Sequence, residues 1–307
     1  MTMEVIIGSA RINERGGISG GAAGDQKQKN TPDYTGEVSL EKFYVHKLGW
    51  LVFRAKQPEV ARKIALTMYK ICNNPNIGYD QGTYRLGVVK YGSDAQIKTG
   101  ADCGSAVRQC VREAAGIDPG NFNTATEPQA LMNTCLFTQV PYTKPEALRE
   151  GDILVTRSQG HTAVVVNAVI ASNGVDASKA TNAYYRVYTS KWLAEVENLK
   201  DYAGIEDKAI SGVMVRVPDK TVETRVGLKG GHYLDWVTGY DPKDYDNGFA
   251  GIIGKPIDRL QIKMQGATVM YRVSLVGNKG YLPWVANTSD YAGIKGKAID
   301  KVQVYIK

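Results

Sequence analysis

The sequence predicts an α+β domain followed by an all-β domain built from three repeats. In the first half, apolar residues at helical spacing alternate with short strand-like runs. In the second half, one phrase recurs three times and is followed each time by alternating apolar residues. A chain of 307 residues also exceeds the usual size of one hydrophobic core. We therefore expect one domain at residues 1–178 and a second at 182–307.

A helix is predicted to begin at Cys103. Behind it, the apolar residues at positions 107, 110, 111 and 114 follow the helical period, and Gly116 ends the run. Asp102 is a suitable N-cap residue. The partial positive charge of a helix N-terminus favours thiolate over thiol, so this placement suits a nucleophilic cysteine.

The remaining elements of the first domain are predicted from local patterns. Pro58 opens a helix that extends to about Asn73, and a second helix is expected near residues 127–137. Apolar runs at 153–155 and 161–166 predict two strands. The Gly-rich segment 8–36 is predicted to be an arm or a loop held against the domain.

These motifs carry a family resemblance. An Asp-Cys helix start, a Gly-Asp-Ile-Leu strand at 151–154 and a Gly-His-Thr-Ala-Val strand at 160–164 resemble the NlpC-type, papain-like cell-wall peptidases. Residues 5–170 resemble the catalytic modules of phage endolysins. The resemblance implies a papain-like (NlpC-type) fold, with Cys103 attacking an amide carbonyl, His161 acting as the base, and Asp102 and Tyr79 shaping the substrate pocket.

The chemistry alone also favours His161 as the partner of the thiol. A cysteine nucleophile needs an imidazole, and the chain has three histidines. His232 lies in the other half, and His46 stands among aromatic residues, where it is expected to be packed. A third residue should orient the imidazole. Asn167 lies too far along the strand, and Asp25 and Glu37 are candidates if the arm folds over the site.

The repeat of the second domain is recognised at Ala203, Ala250 and Ala292. Each of these alanines is followed by Gly-Ile and then by alternating apolar residues. The three units span about 184–219, 222–265 and 269–307. Units of this length cannot each bury a core, so they should close around a shared one with pseudo-threefold symmetry. A β-trefoil-like or β-prism-like body is expected.

The repeats are similar to Trp-containing repeats of clostridial and phage cell-wall proteins, which implies binding to a wall polymer. Aligning the copies places Trp236 and Trp284 at the position of Glu195. Each Trp shares strand parity with a Leu two residues earlier, which favours a place in the core. No binding residue follows from the sequence.

Composition and charge exclude some classes of binding partner and of cellular location. The net charge of +7 is spread along the chain and shows no basic cluster, which argues against nucleic acid. No run of about 18 apolar residues predicts a transmembrane segment, and the start lacks a signal-peptide pattern. We expect synthesis in the host cytoplasm and action on the wall after release, with no metal or other cofactor. Three of the four cysteines, Cys72, Cys110 and Cys135, are predicted to be reduced core residues.

The sequence thus favours an endolysin that cuts a stem-peptide or cross-bridge amide of Gram-positive peptidoglycan. An N-acetylmuramoyl-L-alanine amidase on the same scaffold is the first alternative. A wall-binding protein with an inert first domain is the second.

Overall fold

A computed structural model describes residues 4–26, 37–168, 181–278 and 280–307. The chain divides into two compact units, at residues 2–171 and 172–307. Among the described residues, no helix is both long and apolar enough to cross a membrane.

The N-terminal unit is organised around an antiparallel sheet of six strands in the order β2-β1-β8-β7-β3-β6. Two further strands, β4 and β5, form a separate parallel pair. The strands are β1 (Ile6–Ala10), β2 (Val38–Lys42), β3 (Trp50–Ala55), β4 (Ile77–Tyr79), β5 (Thr99–Ala101), β6 (Phe137–Val140), β7 (Ile153–Thr156) and β8 (Thr162–Asn167).

Four helices accompany this sheet in the described residues: α1 (Pro58–Cys72), α2 (Gly87–Tyr91), α3 (Cys103–Ala115) and α4 (Glu127–Asn133). The predicted start of α1 at Pro58 is confirmed. Helix α1 packs on α3 and on β1 and β8. Gly8 permits this approach, because a Cβ atom there would lie 2.6 Å from Met68 Cγ.

The opposite side of the sheet has its own apolar core, which Trp50 and Leu154 share with Ile7 of β1 and with Ala163 and Val165 of β8. Alternation along a strand sends neighbouring side chains to opposite faces. Ile7 therefore packs in this core while Gly8 faces α1. Ser9, on the side of Ile7, is fully buried.

In the described residues of the C-terminal unit, all regular secondary structure is β-strand and no helix is present. The three longest antiparallel strand pairs of this unit are β9 with β12, β13 with β15 and β16 with β19. The strands are β9 (Tyr184–Tyr188), β10 (Val196–Glu197), β11 (Ala203–Gly204), β12 (Gly212–Arg216), β13 (Val222–Leu228), β14 (Ala250–Gly251), β15 (Ile257–Met264), β16 (Val269–Leu275), β17 (Val285–Ala286), β18 (Ala292–Gly293) and β19 (Ile299–Ile306).

The three repeats pair in a cycle. Strand β14 of the second repeat pairs with β12 of the first, β18 of the third with β15 of the second, and β11 of the first with β19 of the third. The backbone N–H of Ile257 donates to Ile210, and that of Ile210 donates to Ile299. Each repeat therefore contributes to the sheet of a neighbour, and the last repeat closes on the first.

The predicted fold class is wrong. We expected an α+β, papain-like (NlpC-type) domain, whereas 36% of the described residues are strand, 15% are helix, and the strands fall into several separate sheets. The helical period identified α1 and α3 correctly but overstated the helical content. Several strands are too short to show an alternating pattern. Strand β1 lies at the start of a segment whose glycine content predicted a loop.

The cysteines divide differently from the prediction. Cys72 and Cys110 are buried and unpaired, as predicted, but Cys135 is exposed. It follows α4 in a left-handed conformation with φ of 59°. Such a conformation is typical of the turn that ends a helix, which carries the side chain away from the core.

Candidate functional site

Cys103 is the first residue of α3, and its predicted cap is confirmed. Asp102 Oδ1 accepts a hydrogen bond from the backbone N–H of Ser105, whose hydroxyl lies 2.9 Å from the Asp102 nitrogen. This capping box satisfies donors that a helix start would otherwise leave unpaired. The helix ends at Gly116 in the left-handed conformation, also as predicted. The cap fixes the position of the Cys103 backbone.

The second carboxylate oxygen of Asp102 pairs with Arg85, whose Nε donates over 2.6 Å. Arg85 also donates to the carbonyl oxygen of Phe122 at 2.9 Å. The loop around Phe122 is thereby tied to the helix start. Asp102 thus has two structural contacts here, and its role in substrate binding stays a prediction.

The Cys103 thiol is buried, and burial changes its chemistry. Burial is the main cause that raises its pKa to about 12, and the nearby carboxyl groups of Asp102 and Glu127 add to the effect. Hydrogen bonds from the backbone of Thr162 and Gly104 oppose the shift. In the free protein, burial and the two carboxyl groups outweigh these hydrogen bonds, so the thiol form is favoured, contrary to the expectation from the helix start. The contact with Thr162 brings the thiol to the peptide that joins Thr162 to His161.

Glu127 lies fully buried beside this peptide. Its Oε1 is 2.7 Å from the Thr162 hydroxyl oxygen, which is also 2.9 Å from the carbonyl oxygen of Leu154. The single Thr162 hydroxyl proton can serve only one of them, and a carbonyl cannot donate. A protonated Glu127 satisfies both contacts by donating to Thr162. Burial raises the pKa of Glu127 well above its ordinary value, which agrees with a neutral carboxyl group.

The imidazole of His161 is held by three groups. Its Nε2 lies 3.3 Å from the hydroxyl oxygen of Ser9 on β1. Its ring stacks on that of His46, with 6.5 Å between centroids, and lies 6.3 Å from the Trp50 ring. If Nε2 carries the proton and donates to Ser9, Nδ1 is left with a lone pair. That tautomer has the form of a general base.

His46 is packed, as predicted. Its Nδ1 accepts a hydrogen bond from the backbone N–H of Leu48 at 3.1 Å, and its ring lies 5.4 Å from that of Trp50.

Burial, with His46 and Arg11 as further causes, lowers the pKa of His161 to about 4. At neutral pH the site therefore holds an uncharged imidazole and an uncharged thiol.

Tyr79 meets the two proposed third residues beside the start of α3. Strand β4 pairs with β5, which ends at Ala101, and Cys103 and Asp102 are, after burial, the next causes that raise the pKa of Tyr79. Tyr79 is buried on β4; its hydroxyl donates to the Ile18 carbonyl oxygen at 2.6 Å, and its backbone N–H donates to Glu37 at 3.0 Å. The Asp25 backbone packs on Gly78. Burial is the main cause that raises the pKa of Glu37 to about 8. Substrate binding by Tyr79 stays a prediction.

The buried residues Ser9 and Glu127 were missed by the sequence reasoning. Ser9 stands in a Gly-rich segment, and Glu127 stands at a helix start, where a carboxylate usually faces water. Among the described residues, no group of three or more His, Cys, Asp or Glu side chains is placed to hold a metal ion.

The neutral state of His161 predicts a pH-dependent stability. Its pKa is about 4 in the folded chain and about 6.5 when unfolded. The stabilisation is therefore complete above pH 6.5 and is lost as the pH falls toward 4, by up to about 3 kcal/mol. Glu37 and Glu127, whose pKa values are raised in the folded chain, gain stability over the same pH interval, so the measurement is a comparison of two chains. Between pH 7 and pH 4.5, denaturant unfolding should show the unsubstituted chain losing most of this stabilisation relative to His161→Gln. A stability difference between the two chains that does not change with pH would contradict the assignment.

The comparisons with known proteins place this site within a family. No curated protein and no solved structure matches the chain. A family model described as an endolysin-like domain matches residues 7–172, more than half of the chain and the whole segment that contains Cys103 and His161. The match supports the endolysin part of the resemblance, at the level of a phage cell-wall lytic protein. The chain therefore belongs to the endolysin-like domain family.

Proposed function

We propose that this protein is a phage endolysin that cleaves an amide bond of Gram-positive peptidoglycan by cysteine nucleophilic catalysis. The observation that carries the proposal is the packing of α3, which begins at Cys103, on β8, the strand that directly follows His161. The backbone of Thr162 also lowers the pKa of the Cys103 thiol. This packing joins the capped start of α3 to the start of β8 within the endolysin-like segment. A nucleophile and an imidazole from separate elements are what acyl transfer needs.

The reaction begins from a neutral pair. As the substrate carbonyl approaches, His161 Nδ1 takes the thiol proton while Cys103 Sγ forms a bond to the carbonyl carbon. Backbone N–H groups at the start of α3 stabilise the resulting oxyanion. The tetrahedral intermediate collapses to a thioester as the amine departs with the proton from His161. Water, activated by His161, then hydrolyses the thioester and restores the thiol.

Three residues act around this pair in the proposal. Ser9 is a positioning residue that holds His161 Nε2 and keeps Nδ1 available. Asp102 and Tyr79 shape the substrate pocket through the start of α3 and the adjoining β4. Bound substrate excludes water from a thiol that is already buried, so proton transfer to His161 accompanies attack.

The domains have separate tasks in this proposal. Residues 1–178 are the hydrolase domain, and residues 182–307 bind the wall, which raises the enzyme concentration at an insoluble substrate. The bond is a stem-peptide or cross-bridge amide, with the amide between muramic acid and L-alanine as the alternative. A wall-binding protein without catalytic activity is the competing function, and the following experiment separates the three.

The test is mass spectrometry of soluble fragments released from purified Gram-positive walls. An endopeptidase gives fragments with new peptide amino termini between stem residues or in the cross-bridge. An amidase gives intact stem peptides that begin with L-alanine and leave sugar chains without peptide. Release of fragments bearing new reducing sugar ends instead, or no release at all, would contradict the proposed amide cleavage.

A further inference from the structure

The first repeat of the C-terminal unit departs from the other two at one aromatic position. Trp236 in the second repeat and Trp284 in the third correspond to Glu195 in the first. A second position, on the last long strand of each repeat, changes together with it. This position is Lys263 in the second repeat, Tyr305 in the third and Arg216 in the first. The first repeat thus carries a charged pair where the others carry an aromatic ring.

In the second and third repeats the tryptophan ring packs beside the pair of long strands, β13 with β15 and β16 with β19. Trp284 is buried, lies 4.4 Å from the Arg272 guanidinium carbon and meets the Tyr305 ring edge-on at 5.1 Å. Trp236 is half-buried, with Arg225 4.5 Å away. A buried aromatic ring removes 150–250 Å² from water, on the order of the largest side-chain contributions to packing.

In the first repeat this position borders a cavity. A surface cavity of about 430 Å³ lies beside Glu195 and continues along the segments 193–197 and 200–204. Segment 200–204 belongs to the short strand β11 and the turn that precedes it. Arg186 and Arg216 correspond to Arg272 and Tyr305, the partners of the Trp284 ring, and neither lines the cavity, so the cavity lies beside the tryptophan position.

Glu195 is fixed in place instead of filling the cavity. Both of its oxygens accept hydrogen bonds from Arg216 at about 3.0 Å, and the Tyr240 hydroxyl donates to it at 2.7 Å. The guanidinium is itself held over the Tyr184 ring, 4.3 Å from the centroid. A bidentate Arg–carboxylate pair gives geometric specificity. The wall of the cavity is therefore preorganised.

The lining identifies a ligand class. Glu195, Glu197 and Asp201 offer carboxylate oxygens, Lys200 offers donors, and the half-buried Tyr202 offers an aromatic ring. Lys200 pairs with Glu197 at 2.7 Å, and Arg216 pairs with Glu195 at 3.0 Å. Both cations are therefore already engaged with carboxylates. An anionic polymer would meet excess negative charge, whereas sugar hydroxyl groups donate to carboxylates and sugar rings pack on aromatic faces.

We propose that this cavity binds an uncharged, hydroxyl-rich sugar unit of the cell-wall glycan. The identity of the glycan rests on the proposed wall-lytic function, but the binding itself requires no catalysis.

The test copies the third repeat into the first. In the full chain carrying Cys103→Ala, the double change Glu195→Trp with Arg216→Tyr installs the pair found at Trp284 and Tyr305. We expect at least a tenfold loss of affinity in co-sedimentation with Gram-positive walls that the parent chain binds, after hydrofluoric acid has removed their phosphate polymers. Lys263→Tyr, which introduces the same tyrosine at the matched position of the second repeat, should bind within twofold of the parent.

A second variant guards against misfolding. Glu197→Gln with Asp201→Asn removes two charged acceptors without adding bulk, and it should also weaken binding at least fivefold, with an unchanged melting temperature. Undiminished binding by either folded variant would overturn the site, and so would loss of parent binding after hydrofluoric acid treatment. Fragment release by the unsubstituted chain tests the hydrolase separately, so failure of one proposal leaves the other measurable.

Discussion

Replacing Cys103 by alanine is expected to lower the rate of wall clearing by at least about 10³-fold. The substitution removes the sulfur that forms the thioester, and the described residues offer no second thiol at a helix start. Because Asp102 and Ser105 make the cap through other atoms, the start of α3 should persist. Turbidity of a purified wall suspension gives the rate, and co-sedimentation with the same walls should be unchanged.

A matched control for this substitution is Cys135→Ser. Cys135 is exposed after α4, so its loss should leave both clearing and the melting temperature near those of the unsubstituted chain. Cys103→Ser is a stricter comparison, since it keeps a hydrogen-bonding atom but provides a far weaker nucleophile. Clearing by Cys103→Ala at more than a tenth of the original rate would exclude Cys103 as the nucleophile.

The sequence predicts those parts of this site that are determined by residues close together in the chain. The start of α3 follows from Asp102, the helical period and Gly116, all within 15 residues. Strands β7 and β8 follow from short apolar runs. The state of the thiol is different, because it depends on Glu127 and Thr162, which are brought to Cys103 only by the tertiary fold. A helix dipole can be read from the sequence, but burial cannot.

The same distinction explains the misassigned N-terminal segment. Strand β1 lies in a glycine-containing stretch and acquires its structure by pairing with β2 on one side and β8 on the other. Its partner β8 is more than 150 residues away, so no local pattern marks Ser9 as a neighbour of His161. The candidates weighed from the sequence were Asn167 and the acidic residues Asp25 and Glu37. In the structure the Ser9 hydroxyl lies 3.3 Å from His161 Nε2, and Ser9 is the proposed positioning residue.

Replacing His161 by alanine is expected to lower the clearing rate by about 10³-fold, because it removes both the base for the thiol and the acid for the leaving amine. His232→Asn is a suitable control, since His232 is exposed and belongs to the C-terminal unit. His46 is unsuitable as a control because its ring stacks on that of His161. Retention of more than a tenth of the rate by His161→Ala would exclude His161 as the general base.

Ser9 provides the finer test of how this imidazole is held. Removing its hydroxyl in Ser9→Ala deprives Nε2 of an acceptor, which destabilises the imidazolium and the productive tautomer. We expect a 10- to 100-fold fall in kcat, about 1.4–2.7 kcal/mol, with KM nearly constant. The acidic limb of the pH–rate profile should move to lower pH, because the charged form is disfavoured. Ser9→Thr keeps the hydroxyl and should recover most of kcat and the original limb. A purely structural role would lower the melting temperature without moving the limb, so an unshifted profile in Ser9→Ala would show that Ser9 does not orient His161.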